Sequence, residues 1–361
     1  MNAKARRTIT MSLAMGAATL VAAGVGTRGG RAEEALRGLW TIQPSRWTTS
    51  DGPGGTVVQL SLRRSREGHD WNSSFPVPLS ELRGLTAEQL RADRADVRFE
   101  VARDAGAMAA EGRFEAGEGA GHFAFTPSPD YVADLRRQGY DGLDAEKVFG
   151  LAVHDVSRAF IRELGSLGYT RLPLDELISL RIHGATPEFI RELQALGYAH
   201  PSVDELVSLR IHGATAAFVR ELKGLGYEHL TVDQLVSLRI HGATTDFIRA
   251  LAQLGYERLT PDGLVSLRIH GATPEFVREL QGLGYSKLTT DELVSMRIHG
   301  VTPAFVRELR ELGYERVPVD ALVSLRIHGV TPEFIRRVKG RTSTPVSVDR
   351  LVDMRIHGRE E

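Results

Sequence analysis

The sequence predicts an α+β multidomain protein, a small antiparallel β-domain followed by an all-α solenoid of eight helix-pair repeats. Three observations carry this. His154, His183, His212, His241, His270, His299, His328 and His357 recur every 29 residues, the mark of a repeat architecture. Apolar and polar residues alternate in short runs between positions 36 and 127, the period of half-buried strands. An uncharged, mostly apolar stretch from Ile9 to Gly26 follows a basic start. The implied division is an export segment at 1–32, a β-domain at 36–127 and repeats at 128–358.

The first segment has Lys4, Arg6 and Arg7, then the apolar stretch, then small residues around Gly30-Arg31-Ala32. This is the n-region, h-region and cleavage pattern of an export signal. The Arg6-Arg7 pair admits the twin-arginine route. The rival is an uncleaved membrane anchor, for which roughly 18 residues is the short limit. A periplasmic or secreted chain is expected, with no membrane span once the signal is cleaved. The absence of cysteine excludes disulfides, thiolate metal sites and cysteine nucleophiles. Lys and Arg number 45 against 46 Asp and Glu, so no nucleic-acid partner is expected.

In the β-domain, Val58, Leu60 and Leu62 alternate with Gln59 and Ser61, and Val97, Phe99 and Val101 with Arg98 and Glu100. Strands are expected at about 39–43, 57–63, 71–75, 97–103, 108–115 and 122–126, in a meander forming a small sandwich or open barrel. Asp104-Ala105-Gly106 and the glycine-rich run 117–121 read as hairpin connections. The second run lacks the Gly-Lys-Ser/Thr ending of a phosphate loop. A short helix is expected at 86–90, where Thr86 and Gln89 form a capping box. Trp40, Trp47 and Trp71 all fall here; they read as core aromatics, with a sugar-stacking platform as the alternative.

Each repeat reads as two short helices. Thr186 caps the first (helix A), Pro187 suits its first position and Gly197 its end. Ser202 and Glu205 box the start of the second (helix B), and Gly213 ends it. Phe189, Ile190, Leu193 and Leu196 give helix A one apolar side. Val203, Leu206, Val207, Leu209 and Ile211 spread over roughly 200° of helix B, an arc that neighbouring units are expected to cover on two sides.

The recurring polar residues give further expectations. Arg181, Arg210, Arg239, Arg268, Arg297, Arg326 and Arg355 fall inside the apolar arc of helix B, where a buried guanidinium needs a partner. An arginine–acid ladder with the Glu192 series or the helix-B acids such as Asp262 would supply it. The single histidine per unit reads as a helix C-terminal group. Equivalent imidazoles about 8–10 Å apart cannot share one zinc, so no metal or other cofactor is expected. The tyrosines from Tyr140 to Tyr314 are expected to pack between units. Two cationic rows face solvent. One is Arg162, Arg191, Arg220, Arg249, Arg278, Arg307 and Arg336 on helix A; the other is the loop series Arg171, His200, His229, Arg258, Lys287 and Arg316. The helix-A row is the candidate partner-binding surface.

The repeat, with its Arg-Ile-His-Gly, Thr-Pro-Glu-Phe-Ile-Arg-Glu-Leu and Leu-Gly-Tyr segments, resembles tandem repeats of uncharacterised bacterial proteins. Some such arrays are attached behind membrane zinc peptidases of the beta-lactam-sensor type. Leu82-Arg83-Gly84-Leu85-Thr86, Arg103-Asp104-Ala105-Gly106 and Gly119-Ala120-Gly121-His122-Phe123 resemble the segments preceding those repeats. The resemblance spans roughly residues 39–358 and implies an extracytoplasmic sensing or interaction module. The peptidase's zinc motif is absent here, so no catalytic residue carries over, and no nucleophile or Walker motif stands in its place. The expected function is a non-enzymatic binding scaffold for a protein or an anionic envelope component. The alternatives are a structural envelope-associated protein and an enzyme or sugar site in the β-domain.

Overall fold

The computed structural model describes residues 35–44, 55–66, 69–342 and 344–358. The expected export segment at 1–32 and Trp47 lie outside them. Among the described residues six antiparallel strands come first: β1 (Leu36–Pro44), β2 (Val57–Arg66), β3 (His69–Pro78), β4 (Arg94–Arg103), β5 (Gly106–Glu115) and β6 (Glu118–Pro127). A 3-10 turn at Leu79–Glu81 and helix α1 (Ala87–Arg91) separate β3 from β4, and α1 carries the Thr86–Gln89 capping box.

The strands form one sheet ordered β3-β2-β1-β6-β5-β4. It is therefore two three-stranded meanders joined by β1 and β6, where a single meander in a sandwich or open barrel was expected. Pairing partners share a face, so Trp40 lies with Leu62 on one side and Gly121 on the other. Leu36, Trp40, Ile42, Leu60, Leu62, Val97, Phe99, Phe114, Phe123 and Phe125 make that face apolar and buried. The sheet curls over it. The Trp40 ring meets Phe99, three strands away, edge-on at 5.0 Å. Trp40 Nε1 donates to the Glu111 carbonyl at 3.1 Å. Trp40 is wholly buried and presents no ring face to solvent.

Glycine makes the curl possible. Gly112 and Gly121 face each other across β5 and β6. A Cβ on Gly121 would stand 2.0 Å from the Glu111 carbonyl oxygen, and one on Gly112 would stand 2.7 Å from the Trp40 ring. The run 117–121 is thus only partly a turn. Ala116 and Gly117 make the hairpin with φ of 49° and 84°, while Gly119 and Gly121 belong to β6. Alternation cannot reveal a strand whose inward positions are glycine, which is why β6 begins four residues before its expected start.

Among the described residues sixteen helices follow, two per repeat. The A helices are α2 (Pro129–Arg137), α4 (Arg158–Ser166), α6 (Pro187–Ala195), α8 (Ala216–Gly224), α10 (Thr245–Ala252), α12 (Pro274–Gly282), α14 (Pro303–Glu311) and α16 (Pro332–Arg341). The B helices are α3 (Ala145–Val153), α5 (Leu174–His183), α7 (Val203–Ile211), α9 (Val232–Ile240), α11 (Pro261–Ile269), α13 (Thr290–Ile298), α15 (Val319–Ile327) and α17 (Val348–His357). A packs on A and B on B along the array, with the B layer the tighter. Thr186 caps α6 through the Phe189 amide, Ser202 and Glu205 form their box on α7, and Gly213 takes φ of 69°.

The sheet and the repeats share one continuous core. Phe149 of α3 stacks on Phe123 at 5.5 Å and meets Trp71 and Phe125 at 5.1 Å each. The first B helix thereby lies against the open apolar face of the sheet. Asp104, in the β4–β5 hairpin, accepts the Arg158 amide at 2.9 Å and so caps α4 from outside the array.

Replacing Gly121 by alanine is expected to destabilise the protein by about 1–3 kcal/mol, because backbone must move to admit the Cβ. The check is urea unfolding of G121A beside the native chain; equal midpoints would show that the sheet does not depend on this approach.

Candidate interaction surface

The surface is what remains after stacking has used its residues. A nine-residue helix cannot stand alone in water, and its last carbonyls lack helical partners. The next unit supplies donors from 27 residues on. On the A side, Gln194 donates to the Leu167 carbonyl at 3.2 Å, Gln281 to Leu254 at 2.8 Å, Arg310 to Leu283 at 2.9 Å and Lys339 to Leu312 at 2.6 Å. On the B side, Arg181 Nε donates to the His154 carbonyl at 3.1 Å and Arg297 Nε to His270 at 3.3 Å.

The helix-B arginines also lie over phenylalanines of the preceding helix A. Arg181, Arg210, Arg239, Arg268, Arg297, Arg326 and Arg355 sit 4.9–5.3 Å from the ring centres of Phe160, Phe189, Phe218, Phe247, Phe276, Phe305 and Phe334. The glycine ending the preceding B helix leaves room for them. A Cβ on Gly184, Gly213, Gly242, Gly271 or Gly300 would stand 3.1–3.2 Å from the next arginine's Nη2. The expected helix-B arginine–acid ladder is therefore replaced by a cation–π ladder. Within the described residues only Arg181 of this series carries a carboxylate partner, Asp155 at 2.6 Å. The reason is geometric: these arginines lie at the edge of the core with a ring face beneath them, and Arg181 and Arg297 also reach a carbonyl of the preceding unit.

The acid ladder exists on the other layer. Arg191 pairs with Glu163, Arg249 with Glu221 at 3.3 Å, Arg307 with Glu279 at 3.2 Å and Arg336 with Glu308 at 3.3 Å, each acid belonging to the preceding A helix. All seven candidate arginines, with Arg162, Arg220 and Arg278, are exposed. Ala250 stands where Arg278 would find its cross-unit acid. The helix-A row is thus exposed cation with local countercharge, and exposed pairs of this kind contribute about 0–1 kcal/mol each. The loop series is exposed as well, and His200 stacks on Tyr169 at 4.4 Å.

The tyrosines pack between units, as expected, and also donate. Tyr169, Tyr198, Tyr227, Tyr285 and Tyr314 reach the carbonyls of Pro201, Leu230, Leu259, Val317 and Val346 at 2.5–2.9 Å, each 32 residues on. Burial pushes their phenols up, Tyr169 to about 12.

What the sequence reading missed is the isoleucine row. Ile182, Ile211, Ile240, Ile269, Ile298, Ile327 and Ile356 are 54–57% exposed. Ile211 was expected to be covered by neighbouring units. In fact Leu206 and Leu209 are fully buried while Ile211 faces out. Two residues on a helix are roughly 200° apart at 100° each, so Leu209 and Ile211 lie on opposite sides. Beside each isoleucine stand the pinned arginine and the histidine at the helix C-terminus. The Asp204 series is exposed at the other end of the same helices. Among the described residues no group of three or more His, Asp or Glu is placed to hold a metal ion, and no helix is long and apolar enough to cross a membrane. No protein-family model matches the chain, and no curated protein matches it.

Removing one rung, as in Arg297→Leu, is expected to cost about 1–2 kcal/mol, from the lost ring contact and the uncapped His270 carbonyl. Thermal or urea unfolding of the variant checks it, and an unchanged midpoint would exclude the rung as a stacking contact. A pH effect belongs to His154, whose imidazole burial holds below its ordinary value, with Arg181 adding to the shift. Between the folded value and the unfolded value near 6.5, the unfolded chain binds the proton and the folded chain does not. Stability should therefore fall as pH drops below about 6.5. His154→Gln should flatten part of that fall in unfolding measured at several pH values.

Proposed function

We propose that the protein is a non-enzymatic binding scaffold whose helical array holds a partner on the B layer, along the isoleucine row. One observation carries this: seven large apolar side chains stay exposed at the same position of seven successive repeats. Single exposed apolar residues are ordinary, but their recurrence at one position of seven successive repeats supports an interaction site. Stacking does not call for them. Within Arg-Ile-His-Gly, the arginine reaches the preceding unit and the glycine ends the helix and admits the next arginine. The isoleucine has no such duty.

The N-terminal basic, apolar and small-residue pattern supports action outside the cytoplasm, in the periplasm or after secretion. The helix-A arginines from Arg162 to Arg336 remain a second face for an anionic envelope component, favoured by their exposure and regular spacing.

The two faces are separable by experiment. Crosslinking capture from the cell envelope would compare three full-length chains. One is native, one carries Ile211→Ser, Ile240→Ser, Ile269→Ser and Ile298→Ser, and one carries Arg191→Glu, Arg220→Glu, Arg249→Glu and Arg278→Glu. The expected result is a partner, identified by mass, that the serine chain loses and the glutamate chain keeps, with helicity unchanged. Loss on the glutamate chain alone would move the site to the A layer, and equal capture by all three would remove both rows.

A further inference from the structure

Resting on that reading, we infer that the partner is an extended acidic polypeptide with an apolar residue at about every third position, lying crosswise over the C-terminal ends of the B helices. Three features of the row support this choice.

The first is charge. Arg210, Arg239, Arg268, Arg297, Arg326 and Arg355 have no carboxylate partner among the described residues, in contrast to the paired rungs of the A layer. Each carries a full positive charge at a helix end whose dipole amounts to about −0.5, so the edge is net cationic. An acidic chain complements it.

The second is preorganisation. Each guanidinium has one face on a phenylalanine ring, and several pack against the preceding glycine. The cation is fixed before any ligand arrives, so little side-chain freedom is lost on pairing. The isoleucine lies next to it in sequence, on the same short helix. Each of the last seven repeats therefore offers one apolar contact and one fixed cation.

The third is spacing. Packed helices lie about 8–10 Å apart. A polyproline II segment has three residues per turn and rises about 3.1 Å per residue, so every third residue recurs at about 9.3 Å on one side. Such a chain can set one apolar side chain beside each isoleucine without stretching, and its acids can turn to the arginine edge.

Two other occupants fit less well. A second copy of this chain would bring arginine row against arginine row whenever isoleucine met isoleucine, like charge on like charge. A flat anionic bilayer would also meet the exposed row of Asp175, Asp204, Asp233, Asp262, Asp291, Asp320 and Asp349, which shares the outer side of the B helices. A single extended chain passes the C-terminal ends without reaching those acids.

The test uses the full chain and labelled synthetic peptides, followed by fluorescence anisotropy. The probe is seven Leu-Pro-Glu triplets, and the controls are seven Leu-Pro-Lys and seven Ser-Pro-Glu triplets. Charge is varied on the peptide because arginine variants would also remove a stacking contact. The glutamate peptide should bind at least about tenfold more tightly than either control. It should weaken at least about tenfold on the chain carrying Ile211→Ser, Ile240→Ser, Ile269→Ser and Ile298→Ser, and weaken steeply with salt. No binding, equal binding of the lysine peptide, or undiminished binding by the serine chain would overturn the inference. So would isoleucine-dependent binding to phosphatidylglycerol vesicles, or an isoleucine-dependent dimer in sedimentation, in place of peptide binding. If the peptide fails while the serine chain still loses its envelope partner, the partner class falls and the surface stands. If both fail, the surface falls with it.

Discussion

The array depends on one constraint: helices this short end in carbonyls they cannot satisfy themselves. A nine-residue helix leaves four C-terminal carbonyls without helical partners, nearly half of its total. Glycine at the following position turns the chain and satisfies some of them. The rest look to the next unit, whose donors arrive from 27 residues on in both layers. The tyrosine hydroxyls do the same for the inter-helix loops, from 32 residues before. A unit is complete only when it has a neighbour, which makes the array quasi-one-dimensional and its ends special.

The N-terminal end shows how that demand is met without a preceding repeat. Phe149 is received by Phe123, Phe125 and Trp71 of the sheet. Asp104 caps α4. Arg103, at the end of β4, reaches both Glu81 at 2.6 Å and Asp155 at 3.6 Å, and Asp155 in turn holds Arg181. The sheet therefore acts as the first unit's neighbour, which is a physical reason for a curled sheet to precede the repeats. Its glycine pair and its wholly buried tryptophan produce the curl, and the open apolar face that results is where α3 sits.

Much of this was legible in the sequence because it is local. Thr186, Ser202 with Glu205, Pro187 and Gly213 each act within four residues, and they fix where every helix starts and stops. The sixteen helices and the period of 29 follow from them. Sheet order was not legible, because β1 pairs with β6 across 70-odd intervening residues and alternation says nothing of partners. The role of the helix-B arginine was also hidden. Its ring comes from helix A of its own unit, and the carbonyl that Arg181 and Arg297 reach comes from the unit before; an acid ladder satisfies the same sequence pattern equally well. The isoleucine row was legible and was missed: Leu209 and Ile211, two residues apart, cannot face the same way on a helix.

That geometry bears on function more than any single contact. The buried leucine and phenylalanine positions and the tyrosine rungs of a repeat serve stacking, so a substitution there disturbs the packing between units. The isoleucine supplies neither a cap nor a rung, and its side chain is more than half exposed. Seven isoleucines in seven successive units share this exposure. The proposed binding rests on this juxtaposition of an exposed apolar row with cations that packing has already fixed.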